Sequence, residues 1–290
     1  MEQYKQEHFG HAVMPQANHD EQALEDHFLA MRAWTNRNID PLDRRLLDEV
    51  IVPEVEKETG AAPTSSRQVR QKLEAHPLHQ YWLTLSLHYQ DRIWYGLDAA
   101  INRQYDELSE KVGAQVASPK GSLTLNPELE IPRYIAAFDH HRMPGSYVVD
   151  TSDFDFRAGA LYDRFASTYL RNLNGGWKND GRGHTLASHV QDFHPDLKPM
   201  RILDLGCSVG HSTLAIAEAF PDAEVFALDV GAPMLRYGHA RAESMGVPIH
   251  FSQQDAEHTN FEDGSFDLVC SSAVMHETSA KGMRQIFREC

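Results

Sequence analysis

The chain has 290 residues, of which 41% are hydrophobic and 24% charged, so it is long enough for one large domain or for two smaller ones. Its 27 lysines and arginines stand against 42 aspartates and glutamates, which gives a formal net charge of −15. A broad phosphate-neutralising surface is therefore not expected, and nucleic acid is not predicted as a partner.

The cysteine content and the first residues indicate the cellular compartment of the protein. Cys207, Cys270 and Cys290 are too few and too scattered for a disulfide framework, which is typical of a reducing compartment. The N-terminal segment is polar and lacks the apolar core of a secretion signal, and nowhere do about 18 apolar residues follow one another. The sequence predicts a cytoplasmic protein without a membrane span.

The first third of the chain reads as helical. Helices are predicted over Glu21 to Arg37, over Pro41 to Glu58, and from about His76 onward. Apolar residues recur every three or four positions along the last of these, which predicts a packing face; a pocket wall or a dimer surface is the alternative. A homodimer through these helices is the corresponding prediction for partners. The stripe consists of Leu78, Trp82, Leu85, Tyr89, Ile93, Leu97, Ile101 and Tyr105.

Residues 112–157 lose this periodicity and gain proline, glycine and serine. Turns are predicted at Ser118 to Gly121 and at Met143 to Ser146. We therefore place a domain boundary near residues 145–155, with a mainly helical region over 1–150 and a second domain over 151–290.

Strands and helices alternate in the second region. After helices over Ala158 to about Leu173 and near Thr185 to Phe193, short apolar segments alternate with helical ones. This order predicts βαβ units and an α/β fold with a doubly wound parallel sheet, whose ligands bind beyond the carboxyl ends of the strands. The predicted strands are Met200 to Asp204, Ala223 to Asp229, Pro248 to Ser252 and Phe266 to Ser271.

A glycine turn follows the first of these strands. Gly206 and Gly210 allow the backbone to approach a ligand, and the next helix directs its amide-rich N-terminus toward it. A dinucleotide fingerprint starting at Gly206 would need glycines where this chain has Ser208 and His211. The spacing therefore argues against an oxidoreductase that binds a nicotinamide dinucleotide.

The pattern of an acidic residue followed by spaced glycines resembles motif I of class I S-adenosylmethionine-dependent methyltransferases. Ser208 departs from that motif, which has a glycine in the middle position. The likeness covers about residues 155–290 and is nearest to the small-molecule methyltransferases related to quinone-biosynthesis enzymes. It implies a Rossmann-like domain with S-adenosylmethionine as cofactor. The implied cofactor site comprises Asp204, Gly206, Cys207, Ser208, Gly210, Asp229, Val230, Met234, Asp255, Ala256 and Ser271.

Individual roles follow from the same resemblance. Asp229, at the end of the second predicted strand, is placed to accept hydrogen bonds from the ribose hydroxyls, with a turn or helix-cap aspartate as the alternative. Asp255 would accept from the adenine amino group, or belong to a surface loop. Asp204 would face the methionine amino group, since a carboxylate there needs polar partners. Tyr162 would either contact the cofactor or pack in the core, and the Cys207 thiol is expected to pack.

His276 is the candidate catalytic residue. It follows the fourth predicted strand, where the family places residues that face the substrate, and an imidazole can accept a proton near neutral pH. The alternative is a histidine satisfied locally by Glu277. No metal is predicted, because the pairs His76 with His79 and His140 with His141 lack further ligands at suitable spacing.

The predicted function is methyl transfer from S-adenosylmethionine to a small-molecule acceptor. An inactive cofactor-binding module with a regulatory or scaffolding role is the alternative. The last segment has Met283, Ile286 and Phe287 on one helical face and then ends. We expect from this that the domain is truncated after its fourth strand and that part of the acceptor pocket is missing.

Overall fold

The computed structural model describes residues 10–170 and 173–290. Contacts divide the chain into two compact units. One is Asn18–Gly96, and the other joins the residues before Asn18 with Leu97–Cys290. The boundary that the sequence places near residue 150 thus lies inside the second of these units. In the described part of the chain, no helix is long and apolar enough to cross a membrane.

The unit Asn18–Gly96 is helical. Its first helix begins with a capping box, in which Asn18 accepts from the Glu21 amide and the Glu21 side chain accepts from the Asn18 amide. A π-helical turn interrupts the predicted second helix, next to Pro53, which has no amide hydrogen for the regular ladder. The elements are α1 (His19–Asn38), α2 (Asp40–Leu46), the π turn (Leu47–Ile51), α3 (Val52–Thr59), α4 (Ser66–Ala75) and the start of α5 (Pro77–Arg103).

The apolar stripe predicted from His76 onward lies on α5, except for Tyr105, which begins the following helix. Tyr89, Ile93, Leu97 and Ile101 are buried, and the other members of the stripe are half-buried. The helix α4, in contrast, was not predicted from the sequence, and none of its residues is buried. The hydrophobic pattern therefore identified the helix that has a buried face and missed the one that has none.

The larger unit is built on a parallel sheet of five strands in the order β1-β4-β3-β2-β5. This confirms the predicted α/β class with a parallel sheet. The strands are β1 (Ser122–Thr124), β2 (Arg201–Leu205), β3 (Glu224–Asp229), β4 (His250–Gln253) and β5 (Leu268–Ser271). The helices are α6 (Tyr105–Gln115), α7 (Arg133–Ala136), α8 (Arg157–Leu170), α9 (Gly181–Phe193), α10 (His211–Ala219), α11 (Ala232–Ser244) and α12 (Ala280–Glu289).

Strand β1 was not predicted. It pairs in parallel with β4, Leu123 lying opposite Phe251, and it comes from the segment where the sequence indicated only turns. The sheet therefore takes a strand from before residue 150.

Apolar side chains cover both faces of the sheet. Leu214 and Leu235 pack with Phe251 on one face, while Leu203 and Leu228 pack with Ile286 on the other. Strand β2 pairs with β3 on one side and with β5 on the other, so the strand order reverses there. In open α/β sheets this reversal creates a crevice at the carboxyl ends of the strands.

Candidate functional site

A cavity of about 240 Å³ lies beyond the carboxyl ends of β2, β3, β4 and β5. Most of the residues that the sequence assigned to a cofactor site line it. Gly210 and Ser271 do not: Gly210 caps α10, and the Ser271 hydroxyl donates to the Leu205 carbonyl at 3.0 Å. The predicted residues that line the cavity are Asp204, Gly206, Cys207, Ser208, Asp229, Val230, Met234, Asp255, Ala256 and His276.

The turn after β2 has the left-handed backbone that its glycines suggest. Gly206 and Gly210 have φ values of 70° and 77°, and Ser208 between them has 54°. Added to Gly206, a Cβ would overlap the Val274 side chain. The turn is joined to the neighbouring strand because the amides of Gly206 and Cys207 both donate to the Leu228 carbonyl, at 2.8 and 2.9 Å.

Asp229 is held by the backbone around it. Its Oδ2 accepts from the Ser208 amide and its Oδ1 from the Gly231 amide, each at 2.9 Å. Burial raises the pKa of Asp229 despite these two bonds. The carboxylate thus connects the glycine turn with the start of α11, which is the turn role that the sequence offered as the alternative, and it also borders the cavity.

Asp204 is buried at the base of the cavity, with only 2% of its surface exposed. The Thr213 hydroxyl donates to its Oδ2 at 2.6 Å, and the Cys270 thiol lies 3.8 Å from its Oδ1. Burial raises the pKa of this carboxyl to about 6, against an ordinary value of 3.8. Asp204 therefore has one strong protein donor and capacity for another polar partner.

The third acidic position follows β4. The Asp255 Oδ1 accepts from the Glu257 amide at 2.9 Å, and burial raises the Asp255 pKa. The next carboxylate, Glu257, accepts from the Tyr134 hydroxyl at 2.9 Å. Tyr134 lies on α7, so the segment after β1 covers this side of the cavity.

The opposite side of the cavity carries a cluster that sequence reasoning did not assemble. The His141 Nε2 lies 2.9 Å from the Glu277 Oε1 and 3.4 Å from the His276 Nε2. The Tyr147 hydroxyl donates to the same Glu277 oxygen at 3.0 Å. Hydrogen bonds to His141 and Tyr147 lower the Glu277 pKa, although burial alone would raise it. We call His141, His276 and Glu277 the two-histidine cluster.

His276 thus has the local partner that the sequence offered as an alternative, since its Nε2 is 3.5 Å from the Glu277 Oε1. It also borders the cavity. The sequence signal for its other neighbour was the adjacent pair His140 and His141. No metal is predicted for that pair, because no carboxylate lies near it at ligand spacing. The carboxylate that contacts His141 in the structure, Glu277, is 136 residues further along the chain.

Two groups of three metal-ligating side chains occur among residues 10–170 and 173–290: the two-histidine cluster, and Asp180 with His184 and Glu218. The prediction of no metal was based on spacing along the chain. Both groups bring together residues from distant segments, which such spacing does not detect.

Tyr162 and Cys207 also border the cavity. The Tyr162 ring stacks on His211 with centroids 5.7 Å apart, and Tyr147 meets it edge-on at the same distance. The Cys207 side chain packs in the core, and burial raises its thiol pKa well above the ordinary range. A thiol that stays protonated is a poor nucleophile, which agrees with the packing role expected for it.

Residues 202–290 match a family described as a methyltransferase domain. The chain is 41% identical over 78 residues to demethylmenaquinone methyltransferase of Thermus thermophilus, covering 27% of this chain and 36% of that protein. It is 27% identical over 117 residues to malonyl-[acyl-carrier protein] O-methyltransferase of Bacillus cereus, covering 40% and 39%.

Among solved structures, magnesium protoporphyrin IX methyltransferase of Synechocystis with bound S-adenosylmethionine aligns with 16% identity and a TM-score of 0.35, covering 57% of this chain and 72% of that one. Residues 202–290 are therefore similar to class I S-adenosylmethionine-dependent methyltransferase domains. Methyltransferases of this family use S-adenosylmethionine. The chain spans little more than a third of the two relatives named above.

Proposed function

We propose that this chain transfers the methyl group of S-adenosylmethionine to a small-molecule acceptor, both bound in the cavity at the carboxyl ends of the strands. The strand order supports this proposal. Asp255 follows β4 and Asp229 ends β3, whereas His276 and Glu277 follow β5 on the other side of β2. The cavity therefore has an acidic side and a histidine side, separated by the glycine turn after β2.

The acidic side suits the adenosine part of the cofactor. We assign Asp229 to the ribose hydroxyls, because a carboxylate has about four lone-pair sites and the backbone amides use two of them. Asp255 would accept from the adenine amino group, and Val230 and Met234 would supply apolar contact. Asp204 would face the methionine ammonium, whose positive charge favours the ionised carboxylate.

Gly210 and Ser271 would act indirectly, by shaping the turn and by fixing the end of β5 to β2.

The histidine side would receive the acceptor. Its nucleophilic atom forms a bond to the methyl carbon while the carbon–sulfur bond breaks, and the bonding pair stays on sulfur as S-adenosylhomocysteine forms. The acceptor then releases a proton, for which His276 is the proposed base. The sulfonium already activates the methyl group, so the main tasks of the protein are to align the two molecules and to exclude water.

Calorimetry with S-adenosylhomocysteine tests the cofactor assignment. Asp229→Ala should weaken binding by roughly tenfold or more, since charge-assisted hydrogen bonds are lost. Asp267→Ala is the matched control: Asp267 also accepts from two backbone amides, those of Met200 and Arg201, but at the opposite end of the sheet. Equal affinity in wild type and Asp229→Ala would remove the ribose assignment.

Turnover tests the reaction itself. Release of S-adenosylhomocysteine should be measured with small acceptors that offer oxygen, nitrogen or carbon nucleophiles, in wild type and in His276→Ala. Cofactor binding without turnover on any acceptor would favour the inactive module instead. Nicotinamide dinucleotide binding without S-adenosylhomocysteine binding would contradict both.

The homodimer through the N-terminal helices and the cytoplasmic location are further parts of this proposal. Light scattering of the purified chain should give twice the monomer mass of 32.8 kDa if the helices associate. A monomer mass across the micromolar range would remove the dimer.

A further inference from the structure

We infer that the two-histidine cluster is a binding site for a divalent first-row transition-metal ion, placed to hold an oxygen of the methyl acceptor. This inference deepens the proposed function, on which the role of the acceptor rests; the metal site itself rests only on the geometry of the cluster. Its three potential ligand atoms are the Nε2 atoms of His141 and His276 and one carboxylate oxygen of Glu277.

The geometry fits an ion of this size. The three atoms form a triangle with sides of 2.9, 3.4 and 3.5 Å. A point about 1.9 Å from all three exists, close to the roughly 2.0–2.2 Å bonds that zinc makes to imidazole nitrogen and carboxylate oxygen. An ion slightly above the plane of the three atoms would therefore bind all three, and its coordination positions on the side away from them would stay open. Two histidines and one carboxylate with open positions form the ligand set of catalytic zinc and non-haem iron sites.

Without an ion, the three atoms are joined by one short contact and two longer ones. The His141 Nε2 lies 2.9 Å from the Glu277 oxygen, whereas the His276 Nε2 is 3.4 Å from the His141 Nε2 and 3.5 Å from that oxygen. A cation between them would accept a lone pair from each of the three atoms. The Tyr147 hydroxyl, which donates to the same Glu277 oxygen, would orient the ligating carboxylate.

The backbone around His141 supports a ligand role independently. His141 and Arg142 have φ values of 51° and 61°, in the left-handed region that non-glycine residues rarely adopt. Such strain persists only where the surrounding structure holds it, and it is concentrated at ligand sites. The neighbouring His140 fixes this turn, since its Nε2 lies 2.8 Å from the Tyr134 carbonyl oxygen.

The second group of potential ligands is a less suitable site. The Lys178 ammonium lies 3.1 Å from Glu218, so a cation already faces that carboxylate. Its other members are Asp180 and His184, and neither His184 nor Glu218 lines the cavity. His184 therefore provides a control histidine outside the proposed site.

An ion at the two-histidine cluster would change the role of His276. Its Nε2 would be a ligand rather than a base, and the ion would lower the pKa of a bound acceptor hydroxyl instead. The hydroxyl would then release its proton to solvent before its oxygen accepts the methyl group. The inferred acceptor class is accordingly a molecule with a hydroxyl or enol oxygen at the position to be methylated.

Titration with Co²⁺ tests the site, because its visible absorption reports coordination without any turnover. The chelator-treated chain of 290 residues should bind about one Co²⁺, and His276→Ala and Glu277→Gln should each weaken binding by roughly tenfold or more. His184→Ala should leave the affinity unchanged. Binding of S-adenosylhomocysteine to each metal-free variant shows that it is folded and keeps this test separate from that of the proposed function.

Three results would overturn the site. The first is that wild type binds no Co²⁺ at micromolar concentrations. The second is that the absorption persists in both His276→Ala and Glu277→Gln, as it would if the exposed Cys290 were the ligand. The third is that His184→Ala alone abolishes the absorption. Retained S-adenosylhomocysteine binding alongside any of these results would leave the cofactor assignment intact.

Discussion

The buried Asp163 Oδ1 lies 2.6 Å from the Nε2 of His211, which lines the cavity. The Asn179 side-chain amide contacts the other ring nitrogen of His211 at 3.1 Å. If Asn179 donates there, His211 carries its hydrogen on Nε2 and donates it to Asp163. Because His211 is the first residue of α10 and Asp163 lies on α8, this pair connects α8 to the helix that follows the glycine turn.

Asp163 has further partners, and its own side chain is fully buried. Its Oδ2 is 2.8 Å from both the His11 Nε2 and the Tyr237 hydroxyl, and the Arg241 Nε is 3.5 Å from its Oδ1. Burial would raise the Asp163 pKa, but Arg241 and the two histidines together hold it well below the ordinary range.

Asp163→Asn should therefore destabilise the protein strongly. Removing one partner of a buried charged network costs about 3–5 kcal/mol, because the remaining charge and donors stay buried. Denaturant unfolding at neutral pH measures this loss. Asp98→Asn is the matched control, since Asp98 pairs with Arg157 at 2.7 Å but on a partly exposed surface, where about 1 kcal/mol or less is expected.

The same comparison has a defined pH dependence. The folded pKa of Asp163 is depressed, so its stabilising contribution is present above the ordinary value of 3.8 and is lost as the pH falls through the folded pKa. The difference in free energy of unfolding between wild type and Asp163→Asn should narrow below pH 3.8. A difference of less than 1 kcal/mol at neutral pH would contradict the assigned network.

Asp204→Asn should have the opposite effect on stability. The Asp204 pKa in the folded protein is raised to about 6. The stabilisation that the protonated carboxyl adds to the free energy of unfolding is therefore complete below pH 3.8 and is lost as the pH rises through 6. The variant, which resembles the protonated form, should be more stable than wild type at pH 8 by about 1–3 kcal/mol. The two proteins should converge below pH 3.8.

Cofactor binding gives the second measurement on Asp204→Asn. Affinity for S-adenosylhomocysteine at pH 8 should fall by roughly tenfold or more, because the charge opposite the methionine ammonium is removed. Increased stability together with unchanged affinity would show that Asp204 does not face that group.

Gly206→Ala should disrupt the turn by backbone strain and by contact. Gly264 has nearly the same φ, 68° against 70°, but open space around its Cβ position, so Gly264→Ala reports the strain alone. We expect Gly206→Ala to cost about 1–3 kcal/mol more than Gly264→Ala, because its methyl group overlaps Val274. The double variant Gly206→Ala with Val274→Ala should recover part of this difference in thermal unfolding; equal costs at the two glycines would contradict the overlap.

Ser208→Gly should stabilise the protein. The serine has a left-handed φ of 54°, and its hydroxyl is buried without a hydrogen-bond partner among residues 10–170 and 173–290. Glycine removes both the backbone strain and the buried hydroxyl. The free energy of unfolding should rise by about 0.5–1 kcal/mol, after subtraction of the larger chain entropy that glycine loses on folding. Ser146 has the same two features outside the glycine turn, so Ser146→Gly should give a similar gain in denaturant unfolding. Destabilisation by Ser208→Gly would indicate a hydrogen bond to the hydroxyl in solution.

The predicted strands lie within two residues of the observed ones at every end. Short apolar runs between helical segments are a local signal, because a strand of a parallel sheet is buried on both faces. The same holds for Gly206 and Asp229, whose positions relative to their strands bring them to one edge of the sheet. The sequence could thus indicate the sheet, the glycine turn and most of the cavity's acidic side.

Strand β1 shows why some elements could not be predicted from the sequence. Ser122 to Thr124 is too short to display a period, and it forms a strand because its backbone pairs with the otherwise open edge of β4. Asp163 is a similar case: nothing in its neighbourhood along the chain indicates that His11, 152 residues away, will contact it.

The amino-acid sequence by itself determined the parallel-sheet pattern and the glycine turn that resemble a methyltransferase domain, because both are local features of neighbouring residues. Only the tertiary structure decided that His141 contacts His276 and Glu277. The segment that carries His141 must fold against the loop after β5, which lies more than 130 residues further along the chain. Side chains that converge in this way carry no local period, and their meeting depends on how the whole sheet packs.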